Sequence, residues 1–307
     1  MIRLGLCCLF RSVEIPFQTA TATYTAKLKE PLAYLSARAL NNAQSLKRAF
    51  EYCVEQGIGD FRICSDLLPL CSHPALGYEI EALPDGEAIL ELFGRCKRFA
   101  REHDLRLTFH PDQFVVLSSP RREVVENSLR EMEMHGELAE LVGADVINIH
   151  AGGTYGNKGE ALERLERNLE RLSEQVRSRL TLENDDRSYT PSDLLPFCKR
   201  LHIPFCYDVH HHRCLPDGLT VEEATEAALE RWDREPLFHV SSPKNGWGGG
   251  DPKPHHEELF IRDFPECWRE IPKLTVEVEA KGKELALFKL AEQLKKRGYI
   301  AGSGGRG

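Results

Sequence analysis

The chain has 307 residues, 41% of them hydrophobic and 29% charged, with a formal net charge of −8. That length is ample for one large domain with its own core, and the acidic balance, taken alone, argues against a nucleic-acid partner, because neutralising phosphates dominates such affinity. The apolar opening Met1 to Phe10 is too short to span a bilayer and lacks the basic start and cleavage site of a secretory signal, so no membrane association is expected and the segment reads as a first strand.

In chain order the short apolar runs are Ile2–Cys8, Phe61–Cys64, Arg106–Phe109, Val146–Ile149, Leu180–Leu182, Phe205–Tyr207, Leu237–Phe238 and Leu274–Val278. Between them lie stretches of helical spacing over Leu35–Gln56, Glu87–His103, Val124–Val142, Ala161–Gln175, Ser192–Leu201, Val221–Trp232 and Lys283–Arg297. Strands alternating with helices in this way predict an α/β fold, a single (β/α)8 TIM barrel over residues 1–300, followed by a flexible Gly-rich tail over 301–307. A doubly wound open sheet is the competing architecture. It concentrates its site at one switch point, whereas here acidic or imidazole groups close at least six of the runs.

Nine potential metal ligands sit where strands are expected to end, most of them closing one of these runs: His73, His110, His150, Glu183, Asp208, His211, His239, His255 and Glu279. In a parallel barrel the carboxyl ends of the strands converge, so nine scattered residues become one expected metal site. Imidazole with carboxylate suits zinc, manganese or iron, and bridging carboxylates hold two or three such ions for phosphoryl chemistry. The run Asp208-Val209-His210-His211-His212 is the most pointed signal, since three imidazoles after a strand-end aspartate are hard to bury without a cation; His211 turns back over the site, and His210 and His212 are expected behind it or exposed. Glu183 and Glu279 have a plainer alternative as ion-pair partners, with Lys281 and Lys283 at hand for Glu279. His73, taken by itself in Ser72-His73-Pro74, reads as an ordinary histidine. Arg121, Arg122, Lys158, Arg213, Lys244 and Lys253 follow strand ends and offer a basic rim on an acidic molecule. The ten cysteines contain no CxxC pair, so a reducing, cytoplasmic compartment is expected, with Cys7 and Cys8 as packed thiols outside the ligand set. No Gly-x-Ser-x-Gly elbow is present.

The blocks Phe61-Arg62-Ile63, Ser72-His73-Pro74, His110-Pro111-Asp112-Gln113-Phe114-Val115, Asn148-Ile149-His150-Ala151-Gly152-Gly153, Leu182-Glu183-Asn184-Asp185, Asp208-Val209-His210-His211-His212 and Glu279-Ala280-Lys281-Gly282-Lys283-Glu284 resemble, in order along nearly the whole chain, those of the UV damage endonucleases. The resemblance implies a metal-dependent DNA repair endonuclease that nicks damaged double-stranded DNA immediately 5′ to cyclobutane pyrimidine dimers and 6-4 photoproducts, leaving a 3′-hydroxyl and a 5′-phosphate. It implies that the nine residues above hold up to three divalent ions, Mn²⁺ by family habit with Zn²⁺, Co²⁺ or Mg²⁺ as alternatives, and that Glu183, Asp208, His239 and Glu279 carry the chemistry. Bound ions of this kind polarise the scissile phosphate, activate a water and stabilise the leaving oxygen. Gln113 and Phe114 stand at the family's lesion-probing position, where Gln-Tyr is common; Phe114 keeps the stacking face and loses the hydroxyl. His255 is preferred over His256 as the ligand, and a monomer is expected.

Two departures from the family pattern bear on the site. The lysine often found two residues before the seventh-strand histidine is Leu237 here, and Leu6-Cys7-Cys8-Leu9-Phe10 lacks the tyrosine and asparagine that some relatives place near the lesion, while Thr19, Thr21, Thr23 and Tyr24 offer phosphate contacts. An apurinic-site endonuclease of the endonuclease IV type and a xylose-isomerase-like sugar isomerase or epimerase share the barrel and its ligand types and are the alternatives.

Overall fold

Strand β1 (Ile2–Cys7) pairs in parallel with β8 (Leu274–Val278), from Ile2 opposite Leu274 to Leu6 opposite Val278, so the first and last strands of the chain are neighbours. The remaining strands, β2 (Asp60–Ile63), β3 (Arg106–Phe109), β4 (Val146–His150), β5 (Leu180–Glu183), β6 (Phe205–Asp208) and β7 (Leu237–Val240), follow in sequence order to close an eight-stranded barrel. Closure rules out the doubly wound sheet, which would leave two open edges. The structure, a computed structural model, describes residues 1–300; the tail expected over 301–307 lies outside the described residues.

The helices are α1 (Ala22–Thr25), α2 (Pro31–Glu55), α3 (Gly86–Glu102), α4 (Arg122–Val142), α5 (Lys158–Leu169), α6 (Glu174–Arg177), α7 (Pro191–Leu201), α8 (Val209–Cys214), α9 (Val221–Leu229) and α10 (Glu284–Lys296). Their starts follow from local chemistry. Proline occupies the first turn of α2 and of α7, where no backbone donor is lost, and capping boxes at Thr190–Asp193 and Thr220–Glu223 open α7 and α9. On α2 the buried residues Leu35, Ala39, Asn42, Leu46, Ala49 and Cys53 recur at the spacing of one helical face. The helix expected over Ala161–Gln175 is two: α5 ends at Leu169, and the Ser173 hydroxyl accepts from Val176 N–H to start α6.

Chain contacts divide the molecule into two compact units, one formed by residues 1–14, 58–60 and Thr181 onward, the other by 15–57 and 61–180. The first is built around fully buried Trp268, whose ring lies 5.4 Å from Phe238 and Phe264 and whose indole N–H donates to Thr225. The second buries Phe50 against Phe61, 6.1 Å apart, along with Phe93, Leu46 and Phe109. All ten cysteines are free thiols, and among the described residues no helix is long and apolar enough to cross a membrane.

Candidate metal centre

In the first unit, β5 ends in Glu183, β6 ends in Asp208, β7 carries His239 and β8 is followed by Glu279. Glu183, Asp208 and His239 are fully buried. Asp208 also caps the six-residue α8, its Oδ1 accepting from the His211 N–H at 2.7 Å, so the carboxylate and the imidazole three residues on are fixed to each other by the helix start. Asn184 clamps the same turn, donating to the Asp208 carbonyl at 2.8 Å and accepting from its N–H at 3.0 Å. His255 arrives from the long loop after β7, held by a bridge between Pro243 and His255, with its Nδ1 2.8 Å from the Glu279 carbonyl.

These six side chains form a continuous chain of close polar contacts. His211 Nδ1 lies 3.3 Å from Glu183 Oε1 and 3.5 Å from Asp208 Oδ2; His239 Nδ1 lies 3.2 Å from Glu183 Oε1 and 3.6 Å from Glu279 Oε1; His255 Nδ1 lies 3.8 Å from Glu279 Oε2. In three overlapping triads, Glu183–Asp208–His211, Asp208–His239–Glu279 and His211–His255–Glu279, one ligand atom from each member lies within 4.8 Å of the others. Burial disfavours charge on His211, but Asp208, Glu183 and Glu279 outweigh it and push the imidazole up to about 10. The carboxylates thus hold a proton on His211 as their counter-charge, which is the electrostatic condition a divalent cation would relieve. Asp208 Oδ2, buried, accepts no hydrogen bond. The donor set fits a divalent metal on both counts.

In the second unit His110 follows β3 and His150 ends β4, and their rings are 5.1 Å apart. His73 is not at a strand end: it lies in the loop after β2, its Nδ1 accepting from the backbone of Ala75 and Leu76, so that of its two ring nitrogens Nε2 is the one left for a ligand role. Phe114 is 77% exposed rather than tucked under its loop, with its N–H donating to Asp112 Oδ1, and Gln113 beside it is exposed. A cavity of about 350 Å³ is lined by Asp66, His73, Asp112, Phe114 and Glu131. Burial, with Asp112 and Glu131 adding repulsion, raises the Asp66 carboxyl above its ordinary value.

The structure adds residues that the strand-end pattern did not single out. Glu277, fully buried on β8, places Oε2 3.0 Å from His239 Nε2, leaving Nδ1 turned to Glu183 and Glu279. Its signal was present, since two residues before Glu279 is the same face of a strand. Cys206 on β6 forms a further ligand triad with Glu183 and His239, and burial pushes its thiol up to about 12. His210 and His212 are both buried rather than exposed; His212 links the Tyr207 hydroxyl, 2.7 Å away, to Asp217, 3.0 Å away. Lys283 donates to the Cys7 carbonyl.

A closed parallel barrel with buried imidazoles and carboxylates gathered past the ends of its strands defines a barrel enzyme of the kind that works at a polar centre on that rim. Comparisons narrow the class. The chain matches the UV-endonuclease UvdE family over residues 2–304. It is 33% identical to a UV DNA damage endonuclease of Bacillus velezensis over 91% of this chain and 89% of that one, and 34% identical to a UV-damage endonuclease of Schizosaccharomyces pombe, of which it spans 50%. The solved structure of SacUVDE superposes with a TM-score of 0.86 at 27% identity, covering 98% of this chain and 100% of that one. Endonuclease IV from Thermus thermophilus, at 18% identity and a TM-score of 0.58, shares the fold. The chain belongs to the UV-endonuclease family. It is accordingly an enzyme of that class, an endonuclease acting on DNA.

Proposed function

We propose that this enzyme incises damaged duplex DNA immediately 5′ to cyclobutane pyrimidine dimers and 6-4 photoproducts, in a divalent-metal-dependent reaction that leaves a 3′-hydroxyl and a 5′-phosphate. The observation that carries the reading is the six-membered cluster of Glu183, Asp208, His211, His239, His255 and Glu279, whose overlapping triads have more donors than one ion needs. These six would hold divalent ions, Mn²⁺ first among them, and His73, His110 and His150 keep the ligand role that membership of the family suggests. When bound, such ions supply Lewis-acid activation of the phosphate and of water.

The chain's own residues do the rest. Glu183, Asp208 and Glu279 supply the negative charge that retains cations, and the buried Glu277 orients His239 by holding its Nε2. Exposed Phe114, with Gln113 beside it, fits a stacking surface that fills the gap left when linked bases leave the duplex. A sugar epimerase would have no use for that exposed ring. The test is a duplex oligonucleotide carrying one cyclobutane dimer, an undamaged duplex and an abasic-site duplex, each incubated with protein and Mn²⁺ with and without chelator. Chelator-sensitive nicking directly 5′ to the dimer is expected. Cleavage at the abasic site alone would replace this reading with the apurinic one, and no DNA cleavage by metal-loaded protein would turn attention to sugars.

A further inference from the structure

The loop after β7 presents a second aromatic ring that none of the proposed roles uses. Trp247 is 38% exposed, although its indole N–H is bonded inward, 2.9 Å from Oδ1 of buried Asp263. The other carboxylate oxygen accepts the Ser242 hydroxyl at 2.6 Å, and Arg213 donates to the Asp263 carbonyl at 2.6 Å while its guanidinium lies 6.0 Å from the Trp247 ring. The indole is therefore pinned by its polar edge and leaves part of its apolar ring in water. The bond fixes the plane of the ring and leaves part of its face accessible, whereas Trp268 is fully enclosed.

The surrounding backbone is built for this display. In the run Gly246-Trp247-Gly248-Gly249-Gly250, Gly246 has a φ of +72°, and the carbonyl oxygen of Asn245 occupies the place a Cβ on Gly249 would take. The turn is thus specified by glycine rather than merely tolerant of it. Exposed Lys244 precedes it and Lys253 follows it. The same loop returns through the Pro243–His255 bridge, and the rings connect: Trp247 lies 5.4 Å from His210, which lies 5.0 Å from His255.

We propose that Trp247 is a stacking platform for an unpaired nucleobase, flanked by Arg213, Lys244 and Lys253 for the adjoining phosphates, and that it holds one nucleotide of the damaged strand beside the ligand cluster of the first unit; the proposal rests on the DNA-endonuclease reading above. Base stacking on an aromatic ring is sequence-tolerant, as a lesion enzyme that must accept different bases requires.

The test measures binding with chelator present, so that it does not depend on metal loading or turnover. Fluorescence anisotropy of a labelled dimer-containing duplex is compared for the wild type, Trp247→Phe and Trp247→Leu, each with a thermal melt. Trp247→Leu is expected to weaken binding about 5- to 150-fold, Trp247→Phe to stay within about threefold because a stacking ring remains, and both to lower the melting temperature by the same small amount, since each removes the indole N–H from Asp263. Oligonucleotide-induced quenching of indole emission should be present in the wild type and reduced in Trp247→Phe. Equal affinities of the leucine variant and the wild type overturn the platform while leaving the endonuclease reading intact. Loss of binding in both variants together with a large fall in melting temperature assigns the ring a structural role instead. A wild type that binds no DNA overturns the endonuclease reading, and the platform with it.

Discussion

Glu277 shows how a single buried acid shapes the candidate centre. A carboxylate in the middle of Leu274–Val278 interrupts an otherwise apolar strand, and burying it is costly unless it is bonded to a partner able to carry charge. His239 is that partner, at 3.0 Å, and room for the pair is made by Gly5 on the neighbouring strand: a Cβ there would lie 2.9 Å from the Glu277 side chain and closer still to Asp60. An imidazole whose outer nitrogen is bonded to a carboxylate presents its inner nitrogen in a fixed orientation with raised basicity. Glu277→Gln keeps an acceptor but removes the charge, and metal affinity, read by competition with a chromophoric chelator, is expected to fall about 10- to 100-fold. An unchanged affinity would reduce Glu277 to packing. At this scale the sequence was only partly legible. Strand-end ligands announce themselves because a polar group that closes an apolar run contributes little to packing, whereas Glu277 sits inside its run and needs the strand period and its partner His239 to be recognised. His73 marks the opposite limit: it lies out in a loop, where no periodicity reports position.

At the scale of elements, hydrophobic runs located all eight strands and helical spacing located the seven longer helices, because both depend on neighbours in sequence, whereas the short helices α1, α6 and α8 span too few residues to show a period. The break after Leu169 was missed because Leu165, Leu169, Leu172 and Val176 stay buried on both sides of it, so the apolar rhythm continues while Ser173 restarts the helix. The glycine run around Trp247 was legible only as a loop, since glycine carries no side-chain pattern. Contacts distant in sequence also decide where strands are braced. Glu235, just before β7, takes the Arg3 guanidinium of β1 at 2.9 Å, the Thr275 hydroxyl of β8 at 2.6 Å and Lys273 at 2.8 Å. Burial opposes its charge, but Lys273, Thr275 and Arg3 prevail and hold the carboxyl at about 2, against 4.5 for an ordinary glutamate. A folded-state value below the unfolded one means that the brace stabilises the protein above about pH 4.5 and that this contribution is lost as pH falls through about 2. Allowing for the exposure of Lys273, the contribution is on the order of 2 kcal/mol. Urea unfolding of the wild type and Glu235→Gln should therefore differ at pH 7 and converge towards pH 2; a gap independent of pH would show that the brace acts through packing.

For the whole molecule, a formal charge of −8 has to be reconciled with a polyanionic substrate. The total charge sets long-range repulsion, but affinity for DNA is governed by the cations that meet phosphates and displace condensed counterions. In and beside the loop that carries Trp247, Arg213, Lys244 and Lys253 are such cations, with Asp251 the one acid of residues 241–254, whereas Glu222 and Glu226 lie on α9. If local charge governs, the slope of log affinity against log salt for a dimer-containing duplex should become shallower by about one for each phosphate contact removed, so Lys244→Ala and Lys253→Ala each flatten it and the double variant flattens it further. Neutralising Glu222 and Glu226 changes the net charge by a comparable amount in the favourable direction and should raise affinity slightly at low salt without altering the slope, because it creates no contact with phosphate. The reverse pattern, in which the α9 variants change the slope and the lysine variants do not, would mean that the duplex approaches another face of the protein, and the loop carrying Trp247 would then lie away from its path.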